Sequence, residues 1–369
     1  MKKRKTTMSN VEKYALWGLS SIGILTPRRI HTLIARYGSA SELWQTPVKE
    51  WNIPRMSNIV KSAISKAQQE FDPVSFENNL QKKAIKIITI EDQGYPKRLS
   101  HLHDPPLALY VKGELKIDEQ DCYLGVVGSR SRKLYGQRVI KDLLPSLIRQ
   151  GLTIVSGMAY GIDSDSHQCA IDNNGYTIAV IGSGLDDKFI SGNFSLVDKI
   201  LKNGALISEY PPNFEARKWT FPARNRIIAG VSDAVLVVEA GKKSGSLITA
   251  DFASQLGKEV LAVPGSILST TSIGTNTLIK NGAKPILASE DIAEEFLTLS
   301  VEINKKTKPK LNNELEKKIY SLLNSEPISV DEIVLKLDEK ASNIQSTLTI
   351  LSIRGIIEES AGRLFSIKK

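Results

Sequence analysis

The 369-residue chain holds two cysteines, Cys122 and Cys169, too few for a disulfide framework and without metal-ligand spacing, so structural zinc is not expected. It contains no apolar run long enough to cross a bilayer. The basic opening MKKRKTTMSN runs into amphipathic sequence rather than an uninterrupted apolar segment, so it does not read as a secretory signal. A soluble, cytoplasmic protein without membrane contacts is the expectation. Two nucleotide-binding fingerprints are missing as well. After the strand that ends at Gly128 the next glycine is Gly136, which leaves no G-x-G-x-x-G, and the following strand closes on Ser156-Gly157 instead of an acidic ribose ligand. No Walker A lysine motif occurs. NAD chemistry is therefore disfavoured, and neither a cofactor nor a metal is expected.

What is present suits a globular protein of two or three domains, 41% hydrophobic and 24% charged. The net charge of +9 points towards nucleic acid, but it is unevenly spread: residues 1–70 carry +8, residues 71–310 carry +2 and residues 311–369 carry −1. An anion site in the middle of the chain must therefore be built locally.

The periodicity predicts three domains and a linker. Residues 1–70 read as a small helical domain with a helix-hairpin-helix-like turn at GILTPRR, where Thr26 precedes Pro27 at the first helical position. Its basic face reads equally well as a solvated surface or as a DNA contact. Over 71–298, short apolar strands at 123–129, 152–157, 176–184, 205–210, 233–240 and 259–265 alternate with amphipathic helices, and IKIITI at 85–90 adds a strand before them. That alternation predicts a doubly wound parallel α/β sheet. Residues 299–311 are lysine-rich and polar, as in a linker. Residues 312–369 show three helices and two strands, a winged-helix pattern whose candidate recognition helix, 341–353, has no basic residue before Arg354. Duplex binding by that module would lack its electrostatic term, so it is expected to contact protein.

In open α/β sheets, ligands sit beyond the carboxyl ends of the strands. Those ends here are rich in glycine, serine and cations: Gly128, Ser129 and Arg130; Ser156, Gly157 and Gly161; Lys243, Ser244 and Gly245. Such loops let backbone amides converge on an anion. Arg224 and Arg226 fall where a helix is predicted to begin, over 224–231, an unfavourable place for cations unless a polyanion offsets their repulsion. Trp219, Phe221 and Tyr160 offer flat faces for bases. The competing reading has the arginines pairing with Glu209, Asp233 or Glu239 in a core network. Two catalytic candidates stand out: Asp163 with His167, four apart on one helix face, and Glu239 at a strand end. The first pair could ligate a metal, although Asp163 at a helix start reads first as its cap, and Glu239 has no second carboxylate or nucleophile spaced to suggest a reaction.

The motifs GSR, SGMAYGID..SH, TIAVIGSGLD, SEYPP, FPARNRIIAG, VVEAGKKSGSLITA and AVPGS.....GTN.LI..GA, in this order over 120–284, resemble the bacterial DNA-processing protein A family, DprA or Smf. The resemblance implies an extended Rossmann-like domain that dimerises, flanked by a sterile-alpha-motif-like or helix-hairpin-helix domain and a winged helix. It also implies binding of single-stranded DNA, loading of the RecA recombinase, protection of incoming DNA during natural transformation, and no catalysis. Carried over, its DNA-contacting positions are Arg130, Lys243 and the run Arg224, Asn225, Arg226. After GSGLD the family usually continues Tyr-Pro-x-x-Asn; here the run is Phe189, Ile190, Ser191, Gly192, Asn193, which keeps the aromatic and Asn193 but loses the proline. The alternative is a nucleotide-processing enzyme, since a group resembling the cytokinin-activating phosphoribohydrolases uses P-G-G-x-G-T-x-x-E. The run KKSGSLITA sets Thr249 against that group's catalytic glutamate.

Overall fold

A computed structural model describes residues 9–51, 56–190, 194–296, 311, 313–323, 328–337, 339–354, 356–360 and 364–367. By its contacts the chain divides into two units, Met1–Ser300 and Val301–Lys369. No helix among the described residues is long and apolar enough to cross a membrane.

The first unit opens with helices Asn10–Ser21, Pro27–Tyr37, Ala40–Gln45 and Asn58–Glu70. Their ends follow local chemistry. Ser9 and Ser39 accept amide hydrogens of the first turns, Pro27 occupies a position whose amide needs no partner, and Gly38, at φ +96°, closes the second helix on Ile34 O at 2.8 Å. Leu16, Leu19, Leu33, Leu43 and Trp51 pack beneath them together with Leu107 and Ile90 from the α/β portion. The Ser20 and Tyr110 hydroxyls meet at 2.9 Å, and His31 Nε2 lies 2.8 Å from Pro105 O. The helical segment expected over 1–70 is thus part of the larger unit, because its apolar faces are completed by that unit's side chains.

Nine strands form the sheet: β1 (Ile85–Thr89), β2 (Ala108–Gly113), β3 (Tyr123–Val127), β4 (Thr153–Ser156), β5 (Thr177–Val180), β6 (Gly204–Ser208), β7 (Ala234–Val237), β8 (Glu259–Ala262) and β9 (Lys284–Pro285). Their order is β1-β2-β6-β5-β4-β3-β7-β8-β9. The strands β3 to β9 run parallel, while β2 pairs antiparallel with both β6 and β1. Successive residues feed opposite faces. Ile178, Val180, Ala205 and Ile207 pack with Ile227, Ile228 and Ala250, whereas Ala179 and Leu206 pack with Leu196 and Ile200. This is the doubly wound arrangement expected from the near-continuous apolar strands. Chain order reverses at β3, which lies between β4 and β7, and that reversal creates a crevice at the carboxyl ends of β3 and β7.

Several elements depart from the sequence reading, among them helix Pro73–Lys82 and strand β9. Strand β2 and helix Ile273–Lys280 were not anticipated, and the helix carrying the two arginines starts at Thr220 rather than 224. Pro222 stands in its first turn, where a missing amide costs nothing, so the helix accommodates it.

The second unit contains helices Glu314–Leu323, Val330–Leu337 and Ala341–Ile353 with strands β10 (Ile328–Ser329), β11 (Ile357–Ser360) and β12 (Leu364–Ile367), ordered β10-β12-β11. Ile319, Ile333, Leu348 and Leu351 form its own core. This is a winged helix.

Candidate nucleic-acid interface

A cleft of about 620 Å³ opens at the switch point. One wall is the loop after β3, with Gly128, Ser129 and Arg130; the other is the run Lys243, Ser244, Gly245 before helix Ser246–Gln255. Helix Thr220–Val231 supplies Phe221, Arg224 and Asn225 between them. Eight of the thirteen candidate residues therefore converge here from three stretches far apart in the chain.

The loops fit because two glycines leave room. Gly161 holds φ +86°, and a β-carbon there would come within 2.3 Å of Ser129 O, so the loop before helix Ile162–Asp172 lies backbone to backbone against the Arg130 loop. A β-carbon on Gly157 would meet the Arg224 guanidinium at 2.5 Å. Ser156 is fully buried behind the cleft, its hydroxyl donating to Val126 O at 2.6 Å.

The cations divide by environment. Arg130 is exposed and stands over the Phe221 ring at 5.3 Å, a cation–π contact that leaves its donors open to an anion. Lys243 and Lys218 are exposed on the rim. Arg224 is buried: Nη1 donates to Gly157 O at 2.7 Å and to Val180 O, and Nε to Asn225 Oδ1 at 3.2 Å. Burial lowers its pKa to about 10 despite the pull of Asp163. Asn225 in turn donates to Gly245 O at 3.2 Å and ties the helix to the opposite wall.

Arg226 does not face this cleft. Its Nη1 and Nη2 donate to the two carboxylate oxygens of Glu209 at 2.9 and 2.7 Å, and Nε lies 3.2 Å from Asp104 Oδ1. For this residue the core-network alternative is what the fold contains. Asp233, another carboxylate weighed for that network, pairs with Arg98. Asn193 lies outside the described residues. Lys218 was missed by the sequence reading, although a cation beside Trp219 and Phe221 is the kind of signal that marks such a rim. Trp219 itself turns edge-on to Tyr210 at 5.9 Å, outside the cleft, while Tyr160 is exposed in the Gly157–Gly161 loop.

The catalytic candidates are engaged elsewhere. Asp163 lines the cleft and accepts the Gly157 and Ala159 amides at 3.2 and 3.4 Å. Burial pushes its carboxyl up to about 6, against the pull of Arg224. His167 Nδ1 meets Thr177 Oγ1 at 2.7 Å, and that hydroxyl donates to Ile154 O, so the proton sits on Nδ1. Burial, then Arg224, push the imidazole down to about 3. A guanidinium beside both groups disfavours a metal cation, and no cluster of three ligand side chains occurs among the described residues. Glu239 accepts the Lys133 amide at 3.0 Å, capping helix Leu134–Arg149.

A family model described as DNA recombination-mediator protein A matches residues 86–297, and one described as DprA winged helix domain matches residues 305–363. The DNA processing protein DprA of Bacillus subtilis (strain 168) is 42% identical over 215 residues, covering 58% of this chain and 72% of that protein. The X-ray structure of DNA processing protein A from Streptococcus pneumoniae superposes with a TM-score of 0.64 at 33% identity, over 79% of this chain and 99% of that one. DNA processing protein A from Helicobacter pylori, whose structure concerns its single-stranded DNA binding mode, gives 0.51 at 30% identity over 57% of this chain and 95% of that one.

Proposed function

Since the chain belongs to the DNA recombination-mediator protein A family, we propose that it binds single-stranded DNA in the switch-point cleft and acts as a recombination mediator without catalysing a reaction. In this reading it protects incoming DNA and loads a RecA recombinase onto the strand during natural transformation, working as a homodimer through its α/β portion.

One observation carries the binding reading: exposed Arg130 over Phe221, flanked by Lys218 and Lys243, puts phosphate partners and an aromatic face in one cleft. The phosphate of an unpaired nucleotide meets Arg130 and the Gly128–Ser129 and Ser244–Gly245 backbones, while its base lies against Phe221. A duplex keeps its bases stacked inside and offers only phosphates, so a cleft of this kind prefers single strands. The Helicobacter pylori relative, described as binding single-stranded DNA, supports the same ligand class. Absence of catalysis is supported by the engagement of Glu239 as a helix cap and by Thr249, rather than a carboxylate, at the cleft wall.

The test is fluorescence anisotropy of mixed-sequence single-stranded and duplex oligonucleotides across salt concentrations. Preference for single strands with affinity falling as salt rises is expected; equal duplex affinity, or no salt dependence, overturns the reading.

A further inference from the structure

Beyond the cleft, the same edge of the sheet carries a small apolar surface that the binding reading does not use. Ile267 and Leu268, at the tip of the loop after β8, are 88% and 90% exposed. Their turn is closed locally: Leu268 N donates to Ser266 Oγ at 3.2 Å and Ser269 N to Ser266 O at 2.9 Å. The tip is therefore held out by hydrogen bonds rather than collapsed onto the core. Tyr135, half exposed, is pinned beside it by a bond from its hydroxyl to Pro264 O at 2.6 Å.

This surface is continuous with the cleft. Ala240 N donates to Thr271 O at 2.8 Å and Gly274 N to Ala240 O at 2.7 Å, which fixes the loop against the end of β7, next to cleft-lining Gly241. Tyr135 begins the helix that follows the Arg130 loop. Charge agrees with position: Lys133 and Lys242 are exposed, with no ion pair among the described residues. The acid nearest Lys133, Glu239, is buried and accepts the Lys133 amide, whereas Lys242 shares a neighbouring cavity with Asp251 and Glu259. A few apolar side chains are far too small a patch for a stable protein interface, which needs roughly 800 Å² per partner, but they match the size of one or two nucleobases.

We infer that a single strand leaving the cleft continues over a second subsite, its unpaired bases resting on Tyr135 and the Ile267–Leu268 tip and its phosphates meeting Lys133. The inference rests on the cleft being the primary single-strand site, and oligonucleotide length separates the two. Full-length protein is titrated with labelled oligothymidylates of about five nucleotides, enough for the cleft, and about fifteen, enough to reach beyond it. Wild-type protein is expected to bind the longer strand more tightly. Tyr135→Leu and Lys133→Gln should each weaken the longer strand up to about tenfold and leave the shorter one unchanged, with Tyr135→Phe close to wild type. Melting curves establish that the variants are folded. Equal losses at both lengths, or no loss on the longer strand, overturn the second subsite while leaving the cleft standing. No binding of either strand by the wild type overturns the cleft reading itself. A changed sedimentation mass in an Ile267→Ser/Leu268→Ser variant with unchanged affinity would make the tip a self-association surface instead.

Discussion

Arg226 and Glu209 face each other through two hydrogen bonds, 2.9 and 2.7 Å long, with side chains only 4% and 5% exposed. Arg224, two residues earlier on the same helix, reaches the floor of the cleft instead. One short motif thus splits its arginines between fold and site.

Removing one partner of that pair should destabilise the protein. Arg226→Leu leaves a buried carboxylate uncompensated, at a cost of about 3–5 kcal/mol, read as a lowered midpoint in urea. Arg226→Met combined with Glu209→Leu should recover most of the loss. If Arg226→Leu instead keeps wild-type stability and loses DNA affinity, the arginine belongs to the interface.

Arg130 should behave in the opposite way. Being exposed, Arg130→Ala is expected to weaken binding to single strands of any sequence alike and to lower the salt slope by about 0.7, without shifting the melting temperature. Phe221→Leu should lower affinity with the salt slope intact, because it removes a stacking face and no charge.

Acid stability should reveal two opposed groups beneath the cleft. Asp163, raised from 3.8 to about 6, contributes stability that is fully present below its unfolded value and lost as pH rises through about 6. His167, lowered from 6.5 to about 3, contributes stability present above 6.5 and lost as pH falls towards 3. Between about 4 and 6 the two nearly cancel. Asp163→Asn should therefore show a steeper loss of stability on acidification through this window than the wild type, measured by denaturant midpoints at successive pH values. A parallel pair of profiles would refute the assignment.

The two ends of the chain should contribute differently to binding. Deleting residues 1–70 would uncover Leu107 and Ile90, so the basic helical segment is better probed by Arg28→Gln with Arg29→Gln, both exposed. These should reduce affinity modestly and flatten the salt dependence. A chain ending at 310 should bind single strands as the full chain does, because the winged helix presents a neutral recognition helix. Micromolar duplex binding by residues 311–369 alone would reverse that division.

Nucleotide hydrolysis offers a further check. With Thr249 at the cleft wall and Glu239 capping a helix, no release of base from nucleoside monophosphates is expected. Turnover that disappears in Glu239→Gln would revive the enzyme reading.

The α/β alternation, the winged helix and the glycine- and cation-rich strand ends could be read from the chain because each depends on neighbours within a turn or a strand. A strand buried on both faces must be apolar throughout, and a loop approached by another backbone must be glycine. Strand β2 and helix Ile273–Lys280 lacked so clear a local pattern, and the arginine-bearing helix starts at Thr220, four residues before its expected beginning. The fate of the arginines was not local at all. Arg226 pairs with Glu209, at the end of a neighbouring strand, and Asp104, from a distant loop, while Arg224 fills space that Gly157 leaves open. Sequence determined which residue types could meet an anion. Only the packing of one helix against three strand ends decided which cations point to solvent, because a buried guanidinium persists where carboxylates or carbonyls from elsewhere in the chain surround it.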